Sequence, residues 1–145
     1  MCGTHATVRS LMGELVAAGE DITVADMEAG LEHLSRGTPR YVDTFLVMLE
    51  PYYKSLETGR KAYDLASELG IPRVYALGNK ARTERDEQAI REFCARHGLN
   101  LLSTIPFDEA LVEAEMTGMA PLDYDPNGRG VLEISGLAEA LEAPG

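Results

Sequence analysis

The chain has 145 residues, 45% hydrophobic and 26% charged, which fits one folded domain and argues against disorder. A net charge of −11, no basic cluster longer than two residues, no Trp and only three Phe argue against nucleic-acid binding. No apolar run reaches the about 20 residues that cross a bilayer, no signal peptide is visible, and Cys2 and Cys94 lack framework spacing, so a reduced, cytoplasmic chain is expected.

The first amphipathic stretch sets Val8, Leu11, Met12, Leu15 and Val16 at helical spacing and ends at Gly19. Asp21 to Asp26 is a short β-rich run that stops in the turn Ala29-Gly30. A second strand is expected over Thr44–Leu49, closed by Glu50-Pro51. Its apolar residues are consecutive, as burial on both faces requires. A helix follows from about Ser55 to Leu69, with Ser55 or Thr58 as cap, Gly70 as C-cap and Pro72 beyond.

The third strand, Arg73–Gly78, runs into Asn79-Lys80. Thr83 starts another helix, with Asp86 three residues on as in a capping box, and Gly98 terminates it. A fourth strand covers Leu99–Ile105 and ends at Pro106. A short helix from Asp108 to about Glu115 precedes a loop rich in proline and aspartate, Met119–Gly128. The last helix, Gly130–Leu141, places Val131, Ile134, Leu137, Ala138 and Leu141 on one face.

Strand and helix in alternation predict an α/β fold: a parallel sheet with flanking helices and right-handed crossovers. Ligands of such sheets bind beyond the carboxyl ends of the strands. The residues at those ends are Asp26–His33, Glu50-Pro51, Asn79-Lys80 and Pro106–Asp108, which are also the least ordinary segments.

An acidic residue at a strand end, here Asp26, can hold Mg²⁺ through its water shell. A glycine four residues on, here Gly30, lets the backbone approach a γ-phosphate and move when it leaves. Asp-x-x-x-Gly alone equally describes a strand ending in a tight turn. Asn79-Lys80 also reads as a turn or helix entry, and Pro106 as a strand terminator. On the residues alone both readings stay open.

The longer string Asp26-Met27-Glu28-Ala29-Gly30-Leu31-Glu32-His33, followed by Leu34-Ser35-Arg36-Gly37-Thr38, resembles the switch II region of the CooC family. Those are MinD/ParA-like P-loop ATPases that help insert nickel into carbon monoxide dehydrogenase. The resemblance continues in order through Val42-Asp43, Glu50-Pro51, Ser55-Leu56-Glu57-Thr58, Gly78-Asn79-Lys80 and Ile105-Pro106-Phe107-Asp108, and fades near Leu122-Asp123.

The resemblance implies that residues 1–145 are the C-terminal part of one MinD-like nucleotide-binding domain, from switch II onward. It implies that Asp26 helps hold Mg²⁺ and that the loop through Gly30 senses the γ-phosphate. Asn79 is expected to hydrogen-bond the base, and the segment with Pro106 and Phe107 to pack against the purine. Expected partners are a second copy or a missing N-terminal half, together with a metalloenzyme client.

One departure limits these expectations. A P-loop ATPase needs Gly-x-x-x-x-Gly-Lys-[Ser/Thr], and that string occurs nowhere here. In the family it lies upstream of the matched region, so Mg-ATP is expected as a cofactor only if the missing part is supplied, and autonomous hydrolysis is not expected. The family's phosphate-loop strand lies between the strands that here would be Ile22–Ala25 and Thr44–Leu49. Both runs would then have unpaired edges. Direct pairing, a second polypeptide in the slot, or a marginal fold are the alternatives.

The family also carries a Cys-x-Cys pair that binds a metal across a dimer interface, and Cys2 matches its second cysteine. Cys2 and His5 offer a thiolate and an imidazole for nickel or zinc, four ligands in a symmetric dimer; a terminus without metal is the plainer alternative. Cys94 reads as a buried small hydrophobe, and His97 as a complement to a helix dipole. No Gly-x-Ser-x-Gly elbow supports a hydrolase, and the loop Asp123–Gly128 lacks the glutamate of a calcium loop. Competing with the split ATPase are a non-catalytic interaction module derived from one and a nucleotide-independent metal-binding dimer.

Overall fold

A computed structural model of the chain describes residues 22–27 and 42–142. Cys2, His5, Gly30, the amphipathic stretch ending at Gly19 and most of the switch-like string lie outside the described residues. Within them the order is β1 (Thr44–Leu49), α1 (Tyr53–Glu68), β2 (Arg73–Ala81), α2 (Glu84–His97), β3 (Leu101–Pro106), α3 (Glu109–Thr117), α4 (Pro121–Tyr124) and α5 (Arg129–Glu142).

The three strands are parallel in the order β1-β2-β3. Phe45, Val47 and Leu49 alternate onto one face, joined by Ala76 and Leu101 through the register Val47↔Ala76 and Ala76↔Leu101. Against that face pack Leu56 and Tyr63 of α1 and Ile90, Phe93 and Cys94 of α2. Leu49 and Ile90 are fully shielded from solvent, and burying each such side chain contributes about 1.5–3 kcal/mol. Burial also pushes the Cys94 thiol up, in keeping with an inert core residue.

The opposite face is covered unevenly. Helix α5 lies over β3, where the Ser103 hydroxyl donates to Glu133, and Val131 and Leu137 are buried. Opposite β1, Leu46 is half-buried and Met48 is 45% exposed. The two-sided burial predicted for Thr44–Leu49 is thus met on one side only among the described residues. Ile134, expected on the buried face of the last helix, is exposed for the same reason: α5 packs on one strand, not on a full sheet.

Other expectations change in detail. Asp21 to Asp26 reads as β-rich, yet residues 22–27 form no strand, and Ile22 and Val24 are exposed. A strand needs backbone partners, and among the described residues this segment has none. β2 extends through Asn79-Lys80 to Ala81, past the predicted stop at Gly78. The first long helix begins at Tyr53, without a side-chain cap; Ser55 instead accepts from the Glu50 N–H. Inside the predicted loop Met119–Gly128, Pro121 starts the short helix α4.

Candidate functional site

The carboxyl ends of the three strands are tied into one continuous edge by side chains from successive loops. At the end of β1, the Glu50 carboxylate accepts from Lys80 Nζ at 2.9 Å. The pair is partly exposed and contributes at most about 1 kcal/mol, so it positions more than it stabilises.

Lys80 itself has φ 56°, the one non-glycine residue in the left-handed region among those described. That conformation costs about 1–2 kcal/mol for a residue with a Cβ. It coincides with a break in the β2–β3 register between Gly78 and Ala81. The side chain of Asn79 responds locally: its Oδ1 accepts from the Lys80 N–H at 3.0 Å, leaving the two amide N–H donors for another partner. Gly78 is required by close approach, because a Cβ there would meet Thr104 Oγ1 at 2.5 Å.

The ends of β2 and β3 meet next. Pro106 is the register partner of Ala81, and the Phe107 N–H donates to the Ala81 carbonyl at 2.8 Å. Above this junction the Arg82 guanidinium carbon lies 3.5 Å from the centroid of the Phe107 ring. Arg82 is held from behind by the capping box of α2. Asp86 Oδ2 accepts from the Arg82 and Thr83 N–H groups at 2.9 and 3.1 Å, and the Thr83 hydroxyl accepts from the Asp86 N–H. The hydrogen bond from the Arg82 N–H is the main cause that holds the Asp86 carboxyl below its usual range, with Thr83 and the Arg82 charge adding to it against a smaller burial effect.

Asp108 closes the edge. Its Oδ1 accepts from the Ala110 N–H at 3.0 Å, capping α3, and its Oδ2 accepts from the Gly130 N–H at 2.8 Å in the first turn of α5. Two groups of orphan donors are thus answered by one carboxylate. A Cβ at Gly130 would meet Leu111 Cδ1 at 2.6 Å, so a larger residue there would require the Leu111 side chain to shift.

The structure therefore brings Asn79, Pro106 and Phe107 to one edge. Asp26 is exposed in the segment 22–27, and no hydrogen bond or ion pair among the described residues joins it to that edge. No cluster of three or more His, Cys, Asp or Glu suited to a metal occurs among the described residues, and none of their helices is long and apolar enough to cross a membrane. Sequence reasoning missed three features of the edge. Arg82 and the Glu50–Lys80 pair depend on strand register. The second role of Asp108 depends on where α5 begins, although its cap on α3 is signalled by an aspartate preceding a helical run. A separate groove of about 850 Å³ follows β3 between α2 and α5, lined by Arg91, Leu102, Arg129 and Leu132 among others.

Comparison with known proteins gives consistent relatives. The carbon monoxide dehydrogenase accessory protein CooC of Rhodospirillum rubrum is 34% identical over 126 residues, 87% of this chain and 47% of that protein. An uncharacterized ATP-binding protein of Methanocaldococcus jannaschii is 33% identical over 126 residues, 86% of this chain and 48% of that protein. The crystal structure of a ParA family ATPase from Chlorobium tepidum TLS superposes with a TM-score of 0.78 at 23% identity, over 95% of this chain and 57% of that one. The Pyrococcus furiosus cell division ATPase MinD gives 0.65 at 19% identity, over 92% and 57%. No family model matches the chain. The chain spans about half the length of the relatives it matches.

Proposed function

Because the chain belongs to the MinD/ParA-like P-loop ATPase family, we propose that it forms the base-recognising C-terminal portion of a CooC-like nucleotide switch serving nickel insertion into carbon monoxide dehydrogenase or a related metalloenzyme. The observation that carries this reading is the tied carboxyl edge, where Asn79 and the Arg82–Phe107 stack stand side by side at the ends of neighbouring strands. A parallel sheet offers its ligand site at that edge.

In this reading Asn79 hydrogen-bonds the base, and Pro106 and Phe107 form the floor beneath it. Asp26 holds Mg²⁺ through water, and Gly30 lets the switch loop follow the γ-phosphate. The base half of the site fits a purine: an amide with unused donors beside an aromatic ring. The phosphate half does not lie in this sequence, which contains no phosphate-binding loop. When bound, Mg-ATP supplies the phosphoanhydride whose cleavage drives the switch; these residues select the base and couple the loops to it. Cys2 and His5 from two copies would hold the nickel or zinc cargo in a cytoplasmic homodimer.

For the purified chain we expect no Mg²⁺-dependent hydrolysis above background and millimolar or weaker ATP affinity by calorimetry. Addition of the phosphate-loop half of the Rhodospirillum rubrum relative should restore hydrolysis. Tight ATP binding by the chain alone would sink the claim that it is inactive by itself, and failure of every such half to restore activity would count against the switch. Metal titration of wild type against Cys2→Ser tests the cargo site, and equal binding eliminates it.

A second reading, a non-catalytic interaction module descended from such an ATPase, is favoured by one observation. Among the described residues β1 pairs on one side only, and Met48 on its open face is 45% exposed. A neighbouring or in-frame upstream sequence encoding a Gly-Lys-Thr loop would decide between the two in favour of the ATPase.

A further inference from the structure

Arg82 stacks on Phe107, and the stack is built from both sides. The Arg82 backbone is fastened to Asp86, and the Phe107 backbone is fastened to Ala81. Arg82 is nonetheless exposed. A planar guanidinium with one face against an aromatic ring has its other face available, and such a plane is a stacking surface for a nucleobase. Asn79 lies three residues before it, with its carbonyl oxygen engaged by its own chain and its donors unspent.

We infer that Arg82 carries the purine: the base stacks on the outer face of the guanidinium, Phe107 backs that plane from beneath, and Asn79 reads the edge of the base. This inference rests on the nucleotide-binding reading and changes it in one respect. The ring of Phe107 supports the base through Arg82 and does not touch it. Arg82 is then a specificity residue, since a purine covers more of the guanidinium plane than a pyrimidine does.

Adenosine is the probe, because it carries no phosphate whose charge Arg82 would attract in any geometry. Titration of the whole chain followed by ¹H–¹⁵N NMR should shift the signals of Asn79 Nδ2 and Arg82 Nε, with uridine binding more weakly. Arg82→Ala should weaken adenosine binding about 5-fold or more. Arg82→Lys keeps the charge without the plane and should recover little of that loss. Phe107→Leu should weaken binding while leaving the spectrum of a folded chain.

Equal adenosine binding by Arg82→Ala overturns the inference. Tighter binding also overturns it, because Arg82 would then be competing with the base for the ring. Full recovery in Arg82→Lys would show that only charge matters, with the same consequence. If wild type shows no adenosine-dependent shift at Asn79 or Arg82 while its fold is intact, the nucleotide reading itself fails and takes this inference with it.

Discussion

Ile22–Ala25 and Thr44–Leu49 are both short and rich in strand-forming residues, and in the resemblance they occupy comparable places beside the phosphate-loop strand. Thr44–Leu49 pairs with β2 along its whole length and buries Val47 and Leu49. Ile22–Ala25 forms no strand and leaves Val24 88% exposed. The difference lies in their neighbours. β1 finds β2 through a single helical crossover, whereas no described strand lies beside residues 22–27. β-propensity describes a fit to a surface that must first exist. The resemblance implies a strand between the two runs, and such a strand would give both of them a neighbour.

The largest test of that contrast compares truncations on the two segments. Leu49→Ala should destabilise the chain by about 3 kcal/mol in urea denaturation, because its side chain fills the space between β1 and Gly59 of α1. Val24→Ala should change stability by less than about 0.5 kcal/mol. Comparable losses at both sites would mean that the first segment is packed in solution, and the contrast would collapse.

The next effect belongs to the tied edge. Asp108→Ala strips a cap from α3 and an acceptor from the first turn of α5, for a combined loss of about 2 kcal/mol. Asp108→Asn retains one good acceptor and should lose about half as much. Smaller again is Gly78→Ala, which drives a methyl into Thr104 and should cost about 1 kcal/mol or more. The double variant with Thr104→Ser should recover part of that loss, which a thermodynamic cycle would register as coupling.

The smallest effect is electrostatic. Asp86 is depressed below its ordinary value of 3.8 in the folded state, so the stability it contributes is present above that pH and is lost as pH falls through the folded value. Asp86→Asn should flatten this part of the acid-unfolding curve, and an unchanged curve would show that the capping box does not form in solution.

Much of the fold is legible in the amino-acid order because its signals are local. Thr83 with Asp86 marks the start of α2, and Gly98, at φ 69°, marks its end. The apolar run of β1 and the proline after its end mark a strand, although the burial on both faces that a consecutive run implies is met on one side only among the described residues. Asn79-Lys80 misleads because polar residues near a strand end resemble a turn. They stay in β2 because, past the break after Gly78, Ala81 still has Pro106 opposite it. The Arg82–Phe107 stack spans a helix and a strand of intervening sequence, so no local pattern announces it. The Asp26 and Gly30 roles rest on resemblance alone, and a single carboxylate and glycine cannot by themselves distinguish a switch from a turn.

Asp108 makes one more consequence visible. Because the same carboxylate terminates α3 and α5, the loop beginning at Phe107 and the C-terminal helix are geared together. Displacing that loop would have to break or carry along the bond from the Gly130 N–H, which sits next to Arg129 in the wall of the groove beyond β3.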